Sequence, residues 1–292
     1  MTSRYRSVFR PDLFAGRTVI VTGGGSGIGR CIAHELASLG AHVVLVGRTA
    51  AKLEAVAAEI EEDGGSASTA ALDIRDEEAV RTAVAAVVAE RGPVYGLVNN
   101  AGGQFPAPAE AISRKGFEAV VRTNLLGGFL MAREVYLAAM RDHGGAIVNM
   151  LADMWNGMPG MAHSGAARAG MENLTKTLAF EWAKSGVRVN AVAPGWIASS
   201  GLDRYEGPAR ALIPKLAEAV PLRRLGTEAE VSAAVCFLLS EAAAFVTGAT
   251  LRIDGGAPLG NRIWPIPPHD RSRPFEGFHR ASVPKVLQES EG

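Results

Sequence analysis

The chain has 292 residues, 48% hydrophobic and 21% charged, with 30 Lys and Arg balanced by 30 Asp and Glu. That is an ordinary globular composition, long enough for a sizeable core. A chain this neutral has no global field to attract nucleic acid or an anionic membrane, so neither is an expected partner. Its two cysteines, Cys31 and Cys236, make neither a disulfide framework nor a zinc site. No metal is expected, and a reduced, cytoplasmic setting is. Residues 1–11 carry several arginines but no apolar stretch of a secretory signal. No run approaches the roughly 18 apolar residues of a membrane span. Residues 289–292 match no peroxisomal or ER address.

Apolar β-branched runs and helical periodicities alternate along the chain. A strand is predicted over 18–21, a helix over 29–39 with Gly40 as its stop, and a second strand over 42–46. A helix over 49–63 ends in Gly64-Gly65, and a weaker strand follows over 67–72. The helix over 76–91 opens with Glu77 and Glu78, which suit the positive end of its dipole. A fourth strand over 94–98 leads to a long helix over 117–143, with an internal Gly127-Gly128. Strands over 146–150, 188–192 and 249–253 and helices over 164–184 and 228–240 complete the pattern. Buried strands alternating with helices mean one α/β domain with a parallel sheet covered on both faces. Residues 1–257 read as that domain and 258–292 as a proline-rich extension. Trp264-Pro265-Ile266-Pro267-Pro268 continues neither a helix nor an interior strand. The extension either packs over a cleft or a subunit neighbour, or lies on the surface as a partly ordered tail.

Thr22-Gly23-Gly24-Gly25-Ser26-Gly27-Ile28-Gly29 joins the first strand to the first helix. Glycines there permit a tight turn and close backbone approach to a pyrophosphate, which the free N–H groups of the helix N-terminus attract. The strand before and the helix after make this a dinucleotide signature, not merely a glycine-rich turn. Thr22, Gly23, Ser26, Gly27, Ile28 and Gly29 are its expected contacts. The second strand runs into Gly47-Arg48, where an NAD-binding protein usually places an acid for the ribose hydroxyls. Arg48 suits the 2′-phosphate of NADP(H); the alternative is a surface arginine capping a loop.

The glycine turn, Asn99-Asn100-Ala101-Gly102 after the fourth strand and Pro194-Gly195 after the sixth occur in an order that resembles the short-chain dehydrogenase/reductase family. The resemblance runs to Asp254-Gly255-Gly256. It implies a doubly wound Rossmann sheet of seven parallel strands, and a homotetramer or homodimer. By position it places Asp73 and Ile74 at the adenine, and Asn100, Ala101, Gly102, Pro194 and Gly195 along the cofactor. Ile197 and Ser199 fall at the nicotinamide amide or the phosphates.

The catalytic helix departs from that family. Its usual serine falls near Leu151 or Ala152, its tyrosine on Ser164 and its lysine on Arg168. The family's helix asparagine is kept as Asn124, and no tyrosine lies between Tyr136 and Tyr205. Gly102-Gly103-Gln104-Phe105 and the run from His163 to Gly170 resemble the peroxisomal trans-2-enoyl-CoA reductases, related to 2,4-dienoyl-CoA reductases that also lack the tyrosine. That branch implies NADPH-dependent reduction of a double bond conjugated to an acyl-CoA thioester.

The chemistry fits the residues. A carbonyl reductase must protonate an alkoxide, for which a tuned tyrosine is valuable. Enoyl reduction instead collects charge on the thioester oxygen, which needs hydrogen-bond donors first. Ser164 is a candidate donor to that oxygen. Arg168 keeps a positive charge near the ribose and the enolate, and its pKa is too high for it to act as a base. Asn124, Ser164 and Arg168 are thus the catalytic candidates. His163 and Asp153 are possible replacements for the tyrosine, or an ordinary loop histidine and a turn cap. Met150, Met154, Met158 and Met161 suit an acyl pocket or a core. Arg204, Arg210 and Lys215, and with less support His269, Arg271 and Arg273, fit CoA phosphates or a solvated face. Two further readings stay open: a short-chain alcohol dehydrogenase or ketoreductase with a rebuilt site, and a dinucleotide-binding protein without turnover.

Overall fold

A computed structural model describes residues 4–259 and 265–288. Seven parallel strands form one sheet in the order β3-β2-β1-β4-β5-β6-β7. They are β1 (Thr18–Thr22), β2 (His42–Gly47), β3 (Ser66–Ala71), β4 (Val94–Asn99), β5 (Gly145–Met150), β6 (Val187–Pro194) and β7 (Thr250–Ile253). The period of two along β1 divides the core. Val19 and Val21 face one apolar cluster and Ile20 the other. The first cluster is closed by α1 (Gly27–Ser38), α2 (Ala50–Glu62) and a later helix, α7 (Glu228–Leu239). The second is closed by α3 (Glu77–Arg91), α4 (residues 114–143) and α5 (Ala162–Trp182). Every strand of the sheet's centre is therefore buried on both faces, as parallel sheets require. Strand order reverses between β1 and β4, and α/β folds open their ligand crevice at that switch, outside the strands' carboxyl ends.

The long predicted helix differs from expectation in detail. Ser113 caps it by accepting from the Gly116 N–H at 3.1 Å, so it starts earlier than 117. Within α4 the α-helical pieces Arg114–Val121, Gly128–Val135 and Arg141–His143 alternate with π-helical turns Arg122–Gly127 and Tyr136–Met140. Gly127 and Gly128 do not interrupt it. A Cβ on Gly127 would lie 2.7 Å from Ile74 and one on Gly128 2.6 Å from Met171, so these glycines let α4 approach its neighbours. Short helical segments at Leu202–Arg204, α6 (Gly207–Leu212) and Ile213–Ala219 bridge β6 to α7. Thr227 opens α7 with a reciprocal capping box to Glu230.

The described part of the extension folds back along the domain. Phe278 is buried with Tyr5, Cys31 and Ala229, and Arg280 grips the end of α2 through Glu62 (2.8 Å) and Asp63 (2.7 Å). Its last turn, α8 (Lys285–Gln288), buries Val286 against Leu202 and Ile213. The tail therefore braces the segment after β6. Trp264 and residues 289–292 lie outside the described residues.

Candidate active site

A cavity of about 550 Å³ opens at the carboxyl ends of β1, β4, β5 and β6. Its floor is two loops clasped by Thr22. The Thr22 hydroxyl donates to the Val98 carbonyl at 3.2 Å and accepts from the N–H groups of Asn100 (3.0 Å) and Ala101 (2.9 Å). The Asn100 side chain donates back to the Thr22 carbonyl at 2.9 Å. Thr22 holds the floor and does not itself line the cavity. Glycine is obligatory in this clasp. A Cβ on Gly29 would stand 2.3 Å from the Gly23 carbonyl oxygen, and Gly23 (φ +68°) abuts Asn100. Ser26 precedes α1 without a side-chain cap, which leaves the first N–H groups of that helix facing the cavity. Gly23, Ser26, Gly27, Ile28, Gly29, Asn100, Ala101 and Gly102 all line it, as do Pro194, Gly195, Ile197 and Ser199 on the opposite wall.

The end of the cavity beside β2 is basic. Arg48 is exposed on the cavity rim and makes no hydrogen bond or ion pair among the described residues. Lys52 and Arg75 line the same end, beside Asp73 and Ile74. Arg75 is tied to Asp73 at 2.5 Å and, with Arg48, holds that carboxyl down to about 2. Lys52 and Arg75 were not foreseen. The signal for Lys52 was its place in the first turn of α2, just after Arg48.

The other end is built by α5, β5 and the loop after β4. Arg168 is buried in the cavity wall and donates to the Met150 carbonyl through Nη1. Its Nε has no hydrogen-bond partner, and no carboxylate pairs with it among the described residues. Burial pulls its pKa down to about 10, so it remains a cation at neutral pH. Gly102 has no room for a side chain, because a Cβ would lie 2.7 Å from Arg168 Nη2. Leu151 and Ala152 line the cavity where the sequence comparison placed a serine.

Asn124 and Ser164 stand behind this wall and do not line it. Asn124 lies in the first π-helical turn of α4. It accepts from the Gly103 N–H (2.8 Å) and donates to the Gly103 carbonyl (2.9 Å), fixing the loop that carries Gln104. Ser164 is fully buried and donates its proton to Gln104 Oε1 at 2.8 Å, too short a side chain to enter the cavity from α5. Gln104 in turn donates through Nε2 to the Tyr205 hydroxyl at 2.8 Å, and both line the cavity. Tyr205 gave no sequence signal, since it sits in irregular chain 101 residues from Gln104. His163 is buried edge-on to Phe105, its ring centroid 4.3 Å away, and outside the cavity. Asp153 also lies outside it, with its carboxyl raised by burial and by Asp254. Of the methionines only Met150 lines the cavity; Met154 and Met158 pack with Leu151 and Met171. Arg204 lines it, Lys215 is exposed, and His269 bonds the Pro221 carbonyl at 2.9 Å.

These features fit a dinucleotide. An open helix N-terminus takes a pyrophosphate, a basic rim faces one end, and a buried guanidinium with an unmatched N–H faces the other. No cluster of His, Cys, Asp or Glu able to hold a metal occurs among the described residues, and no described helix is long and apolar enough to cross a membrane.

Residues 23–258 match the family model described as enoyl-(acyl carrier protein) reductase. The chain is 37% identical over 259 residues to the peroxisomal 2,4-dienoyl-CoA reductase [(3E)-enoyl-CoA-producing] of Danio rerio, covering 88% of this chain and 86% of the relative. A solved citronellol catabolism dehydrogenase (AtuB) of Pseudomonas aeruginosa PAO1 is 65% identical, with a TM-score of 0.79 over 87% of this chain and 99% of that one. A putative NAD(P)-dependent gluconate 5-dehydrogenase from Beutenbergia cavernae, solved with bound NADP, is 36% identical with a TM-score of 0.80, covering 86% and 100%. With this sheet, this glycine clasp and these relatives, the chain belongs to the short-chain dehydrogenase/reductase family of oxidoreductases.

Proposed function

We propose that the protein is an NADPH-dependent reductase of the conjugated double bond in a trans-2-enoyl- or 2,4-dienoyl-CoA thioester. One observation carries the reading. The helix position that should hold a lysine beside a proton-donating tyrosine holds Arg168, a buried cation without a counter-ion among the described residues, and the tyrosine position is a serine sealed behind the wall. Burying a cation unpaired is costly, and the cost is offset when negative charge arrives. The cofactor, when bound, supplies hydride. Arg168 then faces the charge that collects on the thioester oxygen, and also lies within the wall that meets the ribose. Asn124 positions the Gly102–Gln104 loop, and Thr22 the glycine clasp.

The preference for NADPH is supported by Arg48, Lys52 and Arg75 at one end, with Asp73 already neutralised by Arg75. The dienoyl-CoA reductase relative supports an acyl-CoA substrate, and Arg204 on the rim suits its phosphates. Exposed Phe180, Phe245 and Leu137 on the outer surface support a homodimer or homotetramer. Two buried free cysteines suit a cytoplasmic setting.

The test follows NADPH absorbance with enoyl- and dienoyl-CoAs of several chain lengths, beside 3-ketoacyl-CoAs. Turnover of the unsaturated thioesters and not of the ketones is the expected result; the opposite pattern refutes the proposal. A second reading has its own support, since the 65% identical relative is named for citronellol catabolism. It is oxidation of a branched isoprenoid alcohol, read by NADP⁺ reduction with citronellol. NADPH binding with no turnover across all these substrates would instead mark a non-catalytic dinucleotide-binding protein.

A further inference from the structure

We propose that Tyr205 is a catalytic residue whose hydroxyl donates a hydrogen bond to the reacting carbonyl oxygen of the substrate, aimed by Gln104 and Ser164 as positioning residues. The inference rests on the enoyl-thioester reading above. It starts from the polarity of one chain of hydrogen bonds. The buried Ser164 hydroxyl donates to Gln104 Oε1 at 2.8 Å, which commits the amide oxygen. The amide then presents only N–H to Tyr205, and Nε2 donates to its hydroxyl at 2.8 Å. Tyr205 is thereby an acceptor in this chain. Its own proton has no acceptor among the described residues, and the side chain lines the cavity with Gln104 and Arg168.

The segment carrying Tyr205 is braced from behind. Leu202 is buried against Ile213 and Val286, and the Val286 N–H donates to Asp203 at 3.1 Å. Tyr205 packs partly buried on that cluster and bonds Gln104 through its hydroxyl, and a donor so positioned can stabilise developing charge. When the β-carbon accepts hydride, the π-electron pair moves through the α-carbon to the carbonyl oxygen. Tyr205 and Arg168 meet that oxygen from two different elements. The α-carbon then takes its proton from water and the carbonyl re-forms, so Tyr205 keeps its own proton throughout. Ser164 thus acts at one remove, through the amide, where a longer side chain on α5 would act directly.

Three variants test this with an enoyl-CoA substrate. Tyr205→Phe keeps the ring and removes the donor; kcat should fall about 100-fold, with the NADPH KM and the melting temperature unchanged. Gln104→Glu replaces the N–H donor by a carboxylate that draws the Tyr205 proton to itself, and should lower kcat to a similar extent. The combined Gln104→Glu/Tyr205→Phe variant should be no slower than Tyr205→Phe alone. Retention of more than half the wild-type kcat by Tyr205→Phe overturns the role of Tyr205. A full further loss in the combined variant overturns the coupling through Gln104. A wild-type protein inactive on every enoyl- and dienoyl-CoA overturns the functional reading and this inference with it, whereas the first two outcomes leave that reading standing.

Discussion

Glu228 offers a quantitative test of how the cofactor clasp is built. It is the first residue of α7, half-buried, and its carboxylate makes no hydrogen bond among the described residues. Its Oε1 lies 3.8 Å from where a Cβ on Gly27 would stand, beside Ser200. Burial pushes its pKa from the ordinary 4.5 up to about 7, against the opposing pull of Arg30. The sign follows directly. Between these two values the folded protein holds a proton that the unfolded chain has released, so stability is greatest below pH 4.5 and is lost as pH rises through about 7. At 1.36 kcal/mol per pH unit, the full loss is about 3 kcal/mol. Glu228→Gln keeps the shape and removes the titration. The variant should match wild type near pH 4.5 and exceed it by about 3 kcal/mol at pH 8, seen as a melting temperature higher by roughly 5–10 °C. Because the carboxylate stands beside the open N-terminus of α1, the variant should also bind NADPH more tightly than wild type at pH 8 and equally at pH 5. Melts at four pH values between 5 and 8, with and without NADPH, read both effects. Parallel wild-type and variant stability curves across that range would refute the reasoning.

Three further perturbations separate cofactor choice, loop geometry and tail packing. Arg48→Glu removes a charge-assisted contact worth about 1.5–3 kcal/mol, so the ratio of kcat/KM for NADPH over NADH should fall at least tenfold; an unchanged ratio would assign Arg48 to the solvated surface. Gly29→Ala drives a methyl into the Gly23 carbonyl oxygen, and titration should show NADPH binding lost while the far-ultraviolet circular dichroism stays native. Phe278→Ala empties the site shared with Tyr5 and Cys31 and should cost about 3–5 kcal/mol in urea unfolding. It should also speed proteolytic cleavage between residues 265 and 288; protection equal to wild type would mean the tail is held by its other contacts, the Arg280 ion pairs and Val286 among them.

The fold was legible because its signals are local. Val19, Ile20 and Val21 read as a strand buried on both faces whatever the rest of the chain does, and Gly29 is glycine for a backbone reason that any sequence reader can state. The π-helical turns of α4 were not legible, since the apolar periodicity of residues 114–143 reads as one continuous α-helix. The cavity's backbone-built half was legible for the same reason as the fold. Its side-chain-built half was only partly so. Carrying a family position onto Ser164 assumes that the new side chain reaches where the old one did. Serine is shorter than tyrosine by the whole ring, and the structure leaves it behind the wall with its proton on Gln104. A hydroxyl still reaches the cavity, on Tyr205, in chain without helical or strand periodicity. Position in a motif therefore identified where chemistry had been lost from α5. Only the distances in space show that Gln104 links the buried Ser164 to Tyr205, which lines the cavity that Ser164 does not enter.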